Sequence, residues 1–478
     1  MNPQSKILNI FKHQTLIMQY DEHVDLALKS PSKVINKLSI PIAAIYFLLY
    51  FTSLIDTFWA SGLNSNAFIA IGLISPSYLL LIGVCAGMGA GANSLVSRCL
   101  GARRFERIDN IIIHSLIATA ILSLIIAFIG YEFLDELCII LKSSAVSSYC
   151  IEYAQIIFFL NIVFLLSHVI TSIFRAEGDI KRATVPLVLS SVLNIILDPI
   201  FMYVLNWGVF GAGVATVVSA FLGLLLILYW IFIKKDTLVN IDFSKYKMNL
   251  KIYKDLLIVS IPAALEEIIY AITIIALNIL VIETGGLLEV YSFTIAWKII
   301  SLAFFPCLAV GISLITVSGI AYGAKNSRSF SKSIIYATLL SLGITLVMSL
   351  TFYIFSYPIS EVFCIIDTSQ VLPGRTSEIV KIMVFFNFLI SLGSSADFAY
   401  QGIGQGFKSL SLTILREIIL TIFFAYLLGI YFNMGIFGVY LGAVIGINIG
   451  SIFGFICIWI FSLKFKKQCE NESEVKHG

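Results

Sequence analysis

The stretch SVLNIILDPIF, residues 191 to 201, is almost wholly apolar yet sets Asn194 and Asp198 four residues apart, on one face of a helix. An ionised carboxylate near a bilayer midplane costs about 3 kcal/mol on insertion scales, so one kept there is functional by default. Asp56, in SLIDTFW, is a second carboxylate of this kind. Burial disfavours the charged form, which lets such a group exchange a proton near physiological pH. Asn194 can donate to or accept from the carboxyl, and Thr216 offers a hydroxyl from the next apolar run. Pro199 removes a backbone donor, frees the carbonyl of Ile195 and should kink the segment. Such an oxygen-rich group holds a proton or a hard cation such as Na+, and the residues leave both open. The structural alternatives are an interhelical hydrogen bond for Asn194 and Asp198, a helix end in external water for Asp56, and a hydroxyl bonded back to its own helix for Thr216.

In the second half of the chain Lys298, in AWKII, reads as the one basic residue inside an apolar run. It could pair with Asp397 or Glu267, contact a substrate, or snorkel to an interface, and is not read as catalytic. The glycines of GMGAGA, 87 to 92, read as close helix packing, because no Lys-Ser or Lys-Thr ending completes a phosphate cradle.

The composition sets the solvent. Of 478 residues, 59% are hydrophobic and 12% charged, and the mean hydropathy is +0.97, which is far too apolar for a water-soluble domain. The net charge of +3 is small and the basic residues are dispersed, which argues against a nucleic-acid partner. Eight cysteines and five histidines form no metal-ligand spacing, so neither a metal site beyond Na+ nor a cofactor is expected. Residues 1 to 36 show no short apolar core followed by a cleavage-like site, so no removable signal peptide is expected.

Apolar runs of roughly 20 residues or more, without the alternation of a transmembrane barrel, predict an all-α integral membrane protein. They fall near 39–62, 67–97, 111–133, 147–174, 183–204, 208–233, 255–282, 288–322, 331–357, 375–402, 407–430 and 436–463, giving twelve spans. Alternate loops collect Lys and Arg, among them Arg103, Arg182, Lys247, Lys325 and Lys464, whereas GLNSN, LNWGVF and ETGG hold none and YEFLDEL is acidic. The basic side is therefore expected to be cytoplasmic, with both termini inside a cell (inner) membrane.

The chain also repeats itself. SIPIAA at 39 returns as SIPAAL at 260, an offset of 221; Gly101-Ala102 returns as Gly323-Ala324, offset 222; and GVFGAG at 208 returns as GIFGVY at 435, offset 227. Two pseudo-symmetric six-helix bundles follow, as parallel repeats of a carrier rocking about a central cleft. The expected organisation is a cytoplasmic segment 1–38, a first lobe 39–233, a basic linker 234–254, a second lobe 255–463 and a cytoplasmic tail 464–478.

With SLIDTFWASGL (53–63), GMGAGANSLVSRCLGARR (87–104), RAEGDIKRATVPLVLSSVLNIILDPIF (175–201), FTIAWKIISLAFFPCLAVGISLITVSGIAYGAKN (293–326) and YQGIGQGFKSLSLTILRE (400–417) in this order, the chain resembles the MATE family, the multidrug and toxic compound extrusion transporters of the MOP superfamily, and most of all its archaeal and bacterial DinF-type branch. The resemblance implies a monomeric exporter of small amphiphilic, cationic organic compounds in exchange for H+ or Na+. It also implies a cation-binding pocket whose positions here read Asp56, Asn194, Asp198 and Thr216. The acidic residue that other branches carry in the second lobe has no clean counterpart, since Glu266 and Glu267 lie too near Pro262 and Asp397 is off register.

The repeat offsets carry Asn194 and Asp198 onto Thr421 and Ala425, and Asp56 onto Leu277, so ion binding is expected in the first half alone. A flippase of lipid-linked saccharides or cell-wall precursors is the alternative, but it should bury Arg or Lys for a pyrophosphate. A membrane enzyme would need a clustered nucleophile, metal set or acid/base pair. The orientation has a direct check: in a cysteine-free background, a cysteine at Asn64 should react with an impermeant reagent applied outside intact cells and one at Lys247 should not. Equal labelling would overturn it.

Overall fold

The computed structural model describes residues 18–63, 65–140, 144–235, 237, 239, 241, 246–366 and 372–477, without the side chains of 65–68, 71–76, 79, 134–140, 144, 145, 147, 365, 366, 473 and 475–477. The loop residue Asn64, most of the linker between 236 and 245, and the Asp135 and Glu136 side chains of the acidic cluster lie outside that description. All regular structure among the described residues is helical. Among the described residues ten helices are long and apolar enough to cross a bilayer, and two further pairs, each bent at a short break, bring the number of spans to as many as twelve when each pair counts as one.

The chain divides into two compact units. One is Ala44–Ala264 with the residues up to Asp25; the other is Leu26–Ala43 with Leu265–Gly478. The boundaries after Ala43 and after Ala264 are 221 residues apart, the offset that relates SIPIAA to SIPAAL. Both fall inside a helix, so the division occurs at equivalent points of the two repeats and not at the basic linker.

The first unit takes in residues up to Asp25 of a short helix α1, residues 18–29, whose Tyr20 is buried against Phe105 with ring centroids 5.4 Å apart. Its spans are α2 (Pro31–Ser61, from Ala44 on), α3 (Ser65–Gly101), α4 (Ile108–Ile140), the pair α5 (Ser144–Phe159) and α6 (Ile162–Ala176), α7 (Ile180–Pro199) and α8 (Gly208–Leu228). The helix α2 starts eight residues before the apolar run suggests, because Pro31 suits a first helical position and the chain keeps its pitch through the polar residues that follow. The pair α5 and α6 is bent by 48°, and Asn161 at the bend donates to the carbonyls of Phe158, 2.6 Å, and Ser123, 3.0 Å. The far end of the linker is fastened to α4: Asn110 exchanges two hydrogen bonds with the Lys247 backbone, 3.0 and 3.1 Å, and the Asn249 N–H donates to His114 Nε2 at 3.0 Å.

The second unit holds α9 (Leu250–Gly285, from Leu265 on), α10 (Leu287–Gly323), α11 (Ser327–Ile354), a short α12 (Ser356–Ile366), the pair α13 (Pro373–Met383) and α14 (Ile390–Gly402), a span built from α15 (Gly406–Thr413) and α16 (Phe423–Tyr426), and α17 (Gly435–His477). Its core centres on Phe293, Trp297, Phe386 and Tyr440, with Phe293 and Tyr440 stacked at 5.7 Å. Large apolar side chains such as Leu124, Phe128, Leu339 and Val347 point outward, the arrangement a hydrocarbon solvent selects.

The repeat extends to the backbone. Left-handed residues recur as Arg103 and Lys325 (φ 54° and 53°), Gly178 and Gly404 (80° and 81°), Asn206 and Asn433 (55° and 53°), and Gly208 and Gly435 (54° and 64°), at offsets of 222, 226, 227 and 227. A π-helical segment, Ile200–Val204, follows Pro199, and its partner Leu427–Tyr431 sits 227 residues on. Each widened turn lies against a glycine: a Cβ on Gly211 would come within 2.7 Å of the Phe201 carbonyl, and one on Gly438 within 2.5 Å of the Leu428 carbonyl. The same bend is therefore built twice, by close backbone approach and not by proline alone.

Candidate ion-binding site

In the first unit, α7 is set by its ends. Asp179 caps its N-terminus by accepting from the Arg182 N–H at 3.2 Å and pairs with the Arg182 guanidinium at 2.5 Å. From that start Ser191, Asn194 and Asp198 fall on the buried face. The Asn194 amide donates to Asp198 Oδ1 at 3.0 Å, and Asp198 is 1% exposed. Asp56 arrives from α2 and its side chain lies in hydrogen-bonding reach of the Asp198 carboxyl. Its Oδ1 is buried with no other partner. The structure thus brings Asp56, Asn194 and Asp198 together.

Thr216 on α8 behaves differently. Its hydroxyl donates to the Ala212 carbonyl one turn back, 3.0 Å, and stands beside Tyr153. Pro199 ends the regular part of α7 and passes it into the π-helical segment. Within that segment the Tyr203 hydroxyl donates to the Trp59 carbonyl, tying the end of α7 to α2 one turn beyond Asp56.

Two neighbours carry no sequence signal. Tyr78 on α3 lies in electrostatic range of Asp56, and Tyr153 on α5 in range of both carboxyls. Tyrosines are common in these spans, and nothing local marks the two that face the pair. A further buried carboxyl, Glu177, follows the end of α6, where Tyr20 donates to it at 2.8 Å and burial pushes it up to about 8.

In the second unit, Lys298 lies on the exposed side of α10, and the expectation that it is the one basic residue inside that half is corrected by Arg416. Arg416 is 7% exposed, sits in the π-helical segment Ile414–Ile422 that continues α15, and donates to Asp397 Oδ2 at 2.7 Å and to its neighbour Glu417 at 3.3 Å. Asp397, one of the partners considered for Lys298, is thus paired with Arg416. Glu266 accepts from Gln401 at 2.9 Å and stands beside Ser409 and within range of Asp397 and Arg416. Glu267 points to the outside of α9. The repeat equivalents are apolar or self-satisfied: Leu277 and Ala425 are buried, and the Thr421 hydroxyl donates to the Arg416 carbonyl at 2.7 Å.

The two groups ask for different chemistry. Carboxyls facing each other in a dry setting need a positive charge between them, either a shared proton or a small hard cation. Around Asp397 a guanidinium already supplies one. Among the described residues no group of three or more His, Cys, Asp or Glu side chains is arranged to hold a metal ion.

Up to twelve spans among the described residues, arranged in two repeats, fit a membrane carrier by architecture. Comparison with known proteins narrows the class. The MatE family model matches residues 41–200 and 262–427, one block in each repeat, and the chain belongs to that family. It is 24% identical over 408 residues to a protein of Staphylococcus aureus named multidrug export protein MepA, across 84% of this chain and 88% of that one. The protein of the same name from Staphylococcus haemolyticus is 26% identical over 371 residues, across 76% and 78%. Among solved structures, the outward-facing conformation of a multidrug resistance MATE family transporter of the MOP superfamily matches with a TM-score of 0.89 and 34% identity, across 93% of this chain and 98% of that one. A MOP superfamily transporter from Pyrococcus furiosus matches with the same score, identity and coverage.

The Arg416 cluster makes a stability prediction. Arg416→Met strands two buried carboxylates and should cost about 3–5 kcal/mol, the usual effect of breaking a buried pair from one side. Adding Asp397→Asn should restore at least half of the loss in thermal midpoint. A double variant as unstable as the single one would mean that the guanidinium acts through packing and not through charge.

Proposed function

We propose that the protein is a secondary active multidrug exporter, which trades small amphiphilic, cationic organic compounds for an inward-moving ion by alternating access, and that this ion is a proton. The observation that supports the choice of ion is the contact between the two carboxyls: Asp56 lies in hydrogen-bonding reach of Asp198, and two carboxyl oxygens bond each other directly only when one of them carries a proton. The Asn194 amide, 3.0 Å from Asp198, holds that carboxyl in place. Asp56 and Asp198 are the proton-binding residues, with Asn194 orienting Asp198. Thr216 has a minor part, and Pro199 couples the site to the π-helical bend.

Cationic cargo suits a site that carries buried carboxyls, because substrate and proton then compete for the same negative charge. The flippase alternative calls for buried arginines free to take a pyrophosphate, and Arg416 is engaged by Asp397 and Glu417. We place the protein in the cell membrane with both termini cytoplasmic, working as a monomer.

Purified protein in liposomes tests the reading through dye export under an imposed pH gradient without Na+, or a Na+ gradient at equal pH. The pH gradient should drive export by itself. Asp198→Asn should reduce it at least tenfold at normal abundance, Asp56→Asn should impair it, and Thr216→Val should leave most of it. Export driven only by Na+ would reassign the ion, and wild-type rates in Asp198→Asn would reduce the carboxyl pair to packing.

A further inference from the structure

The second unit contains a pocket that ion coupling does not use. A cavity of about 570 Å³ opens where the ends of α10, α14, α15 and α17 meet. Four rings, Tyr322, Tyr400, Phe461 and Phe465, form its walls, and Lys408 and Lys464 bring two positive charges from different helices. Among the described residues that line it none is acidic. The Lys408 ammonium lies 5.7 Å from the Tyr400 ring and 5.4 Å from the Phe461 ring, so cation–π contacts hold the charge inside the pocket and keep it from sweeping through water. Gln405, at the start of α15, also lines the cavity and leaves its side-chain oxygen buried without a donor.

The surroundings favour a lipid over a dissolved anion. Beside the pocket α17 turns Ile456, Ile460 and Leu463 outward, 48%, 47% and 48% exposed, and Phe407 next to Lys408 is 56% exposed. Hydrocarbon therefore continues from the rim of a pocket that is positively charged within. This end of the unit carries Lys464, Lys466 and Lys467 and, by the distribution of basic residues, faces the cytoplasmic leaflet, where anionic lipids meet basic pockets between helices.

We propose that this pocket binds the headgroup of an anionic phospholipid of the phosphatidylglycerol type, its phosphate held by Lys408 and Lys464 and its polyol hydroxyls donating to Gln405. The aromatic walls take the glycerol backbone and the first methylenes, and the outward face of α17 takes the acyl chains. The bound lipid ties α15 to α17 and so stiffens one end of the unit.

The test uses the full chain in phosphatidylcholine nanodiscs with or without phosphatidylglycerol, read by thermal midpoint. Phosphatidylglycerol should raise the wild-type midpoint. Lys408→Gln with Lys464→Gln should lose at least half of that gain, and the matching pair of arginine substitutions should keep it. Lys466→Gln with Lys467→Gln, an equal change of charge outside the pocket, should also keep it. Equal losses in the two glutamine pairs would reduce the effect to tail charge and overturn the site. A comparable gain from soluble glycerol 3-phosphate in phosphatidylcholine discs would assign the pocket to a dissolved anion and overturn the lipid. If the glutamine pair near the pocket does not fold, a photoreactive phosphatidylglycerol cross-linked to wild-type protein decides: mapped adducts on α15 or on residues 457–468 of α17 support the site, and adducts confined elsewhere overturn it.

Discussion

Charge in a medium that cannot solvate it must find its opposite within a few ångströms, and that requirement organises both halves of this molecule. The second unit meets it internally, by setting Arg416 between Asp397 and Glu417. Among the described residues, the first unit brings Asp56 against Asp198 beside the Asn194 amide and nearby tyrosine side chains. On the proposed reading, the positive charge that this carboxyl pair calls for is the exchangeable coupling ion.

The two repeats share a backbone and differ in what they bury. Both carry a π-helical bend at matching positions, both press that bend onto a glycine of the following helix, and both leave it through a left-handed Asn. Where the first places Asp198 just before the bend, the second places Ala425. The bend is thus a mechanical element common to both, and the titratable group beside it is present in one. In the proposed cycle, protonation at Asp198 would act next to this widened turn.

Much of this was legible from composition and spacing. The long apolar runs marked the spans because backbone groups in hydrocarbon must be satisfied within a helix. Paired Gly-Ala dipeptides marked the repeat, and the four-residue step from Asn194 to Asp198 put them on one face without further information. The start of α2 at Pro31 was hidden, since polar residues continue a helix beyond the bilayer as readily as they end it. Arg416 was hidden for a different reason. An arginine in an apolar run is tolerable only when its partners are present, and here one lies 19 residues away on another helix. The π-helical bends left no local signature, because their register is set by Gly211 and Gly438 on neighbouring helices.

Whether the first unit alone exchanges the coupling ion can be measured without transport. Saturating cationic substrate added to purified protein in weak buffer should displace protons, seen with a pH indicator dye. Release is expected from the wild type and from Asp397→Asn, and none from Asp198→Asn. Undiminished release from Asp198→Asn, with loss of release in Asp397→Asn, would place the exchangeable proton in the second unit and contradict an ion site confined to the first.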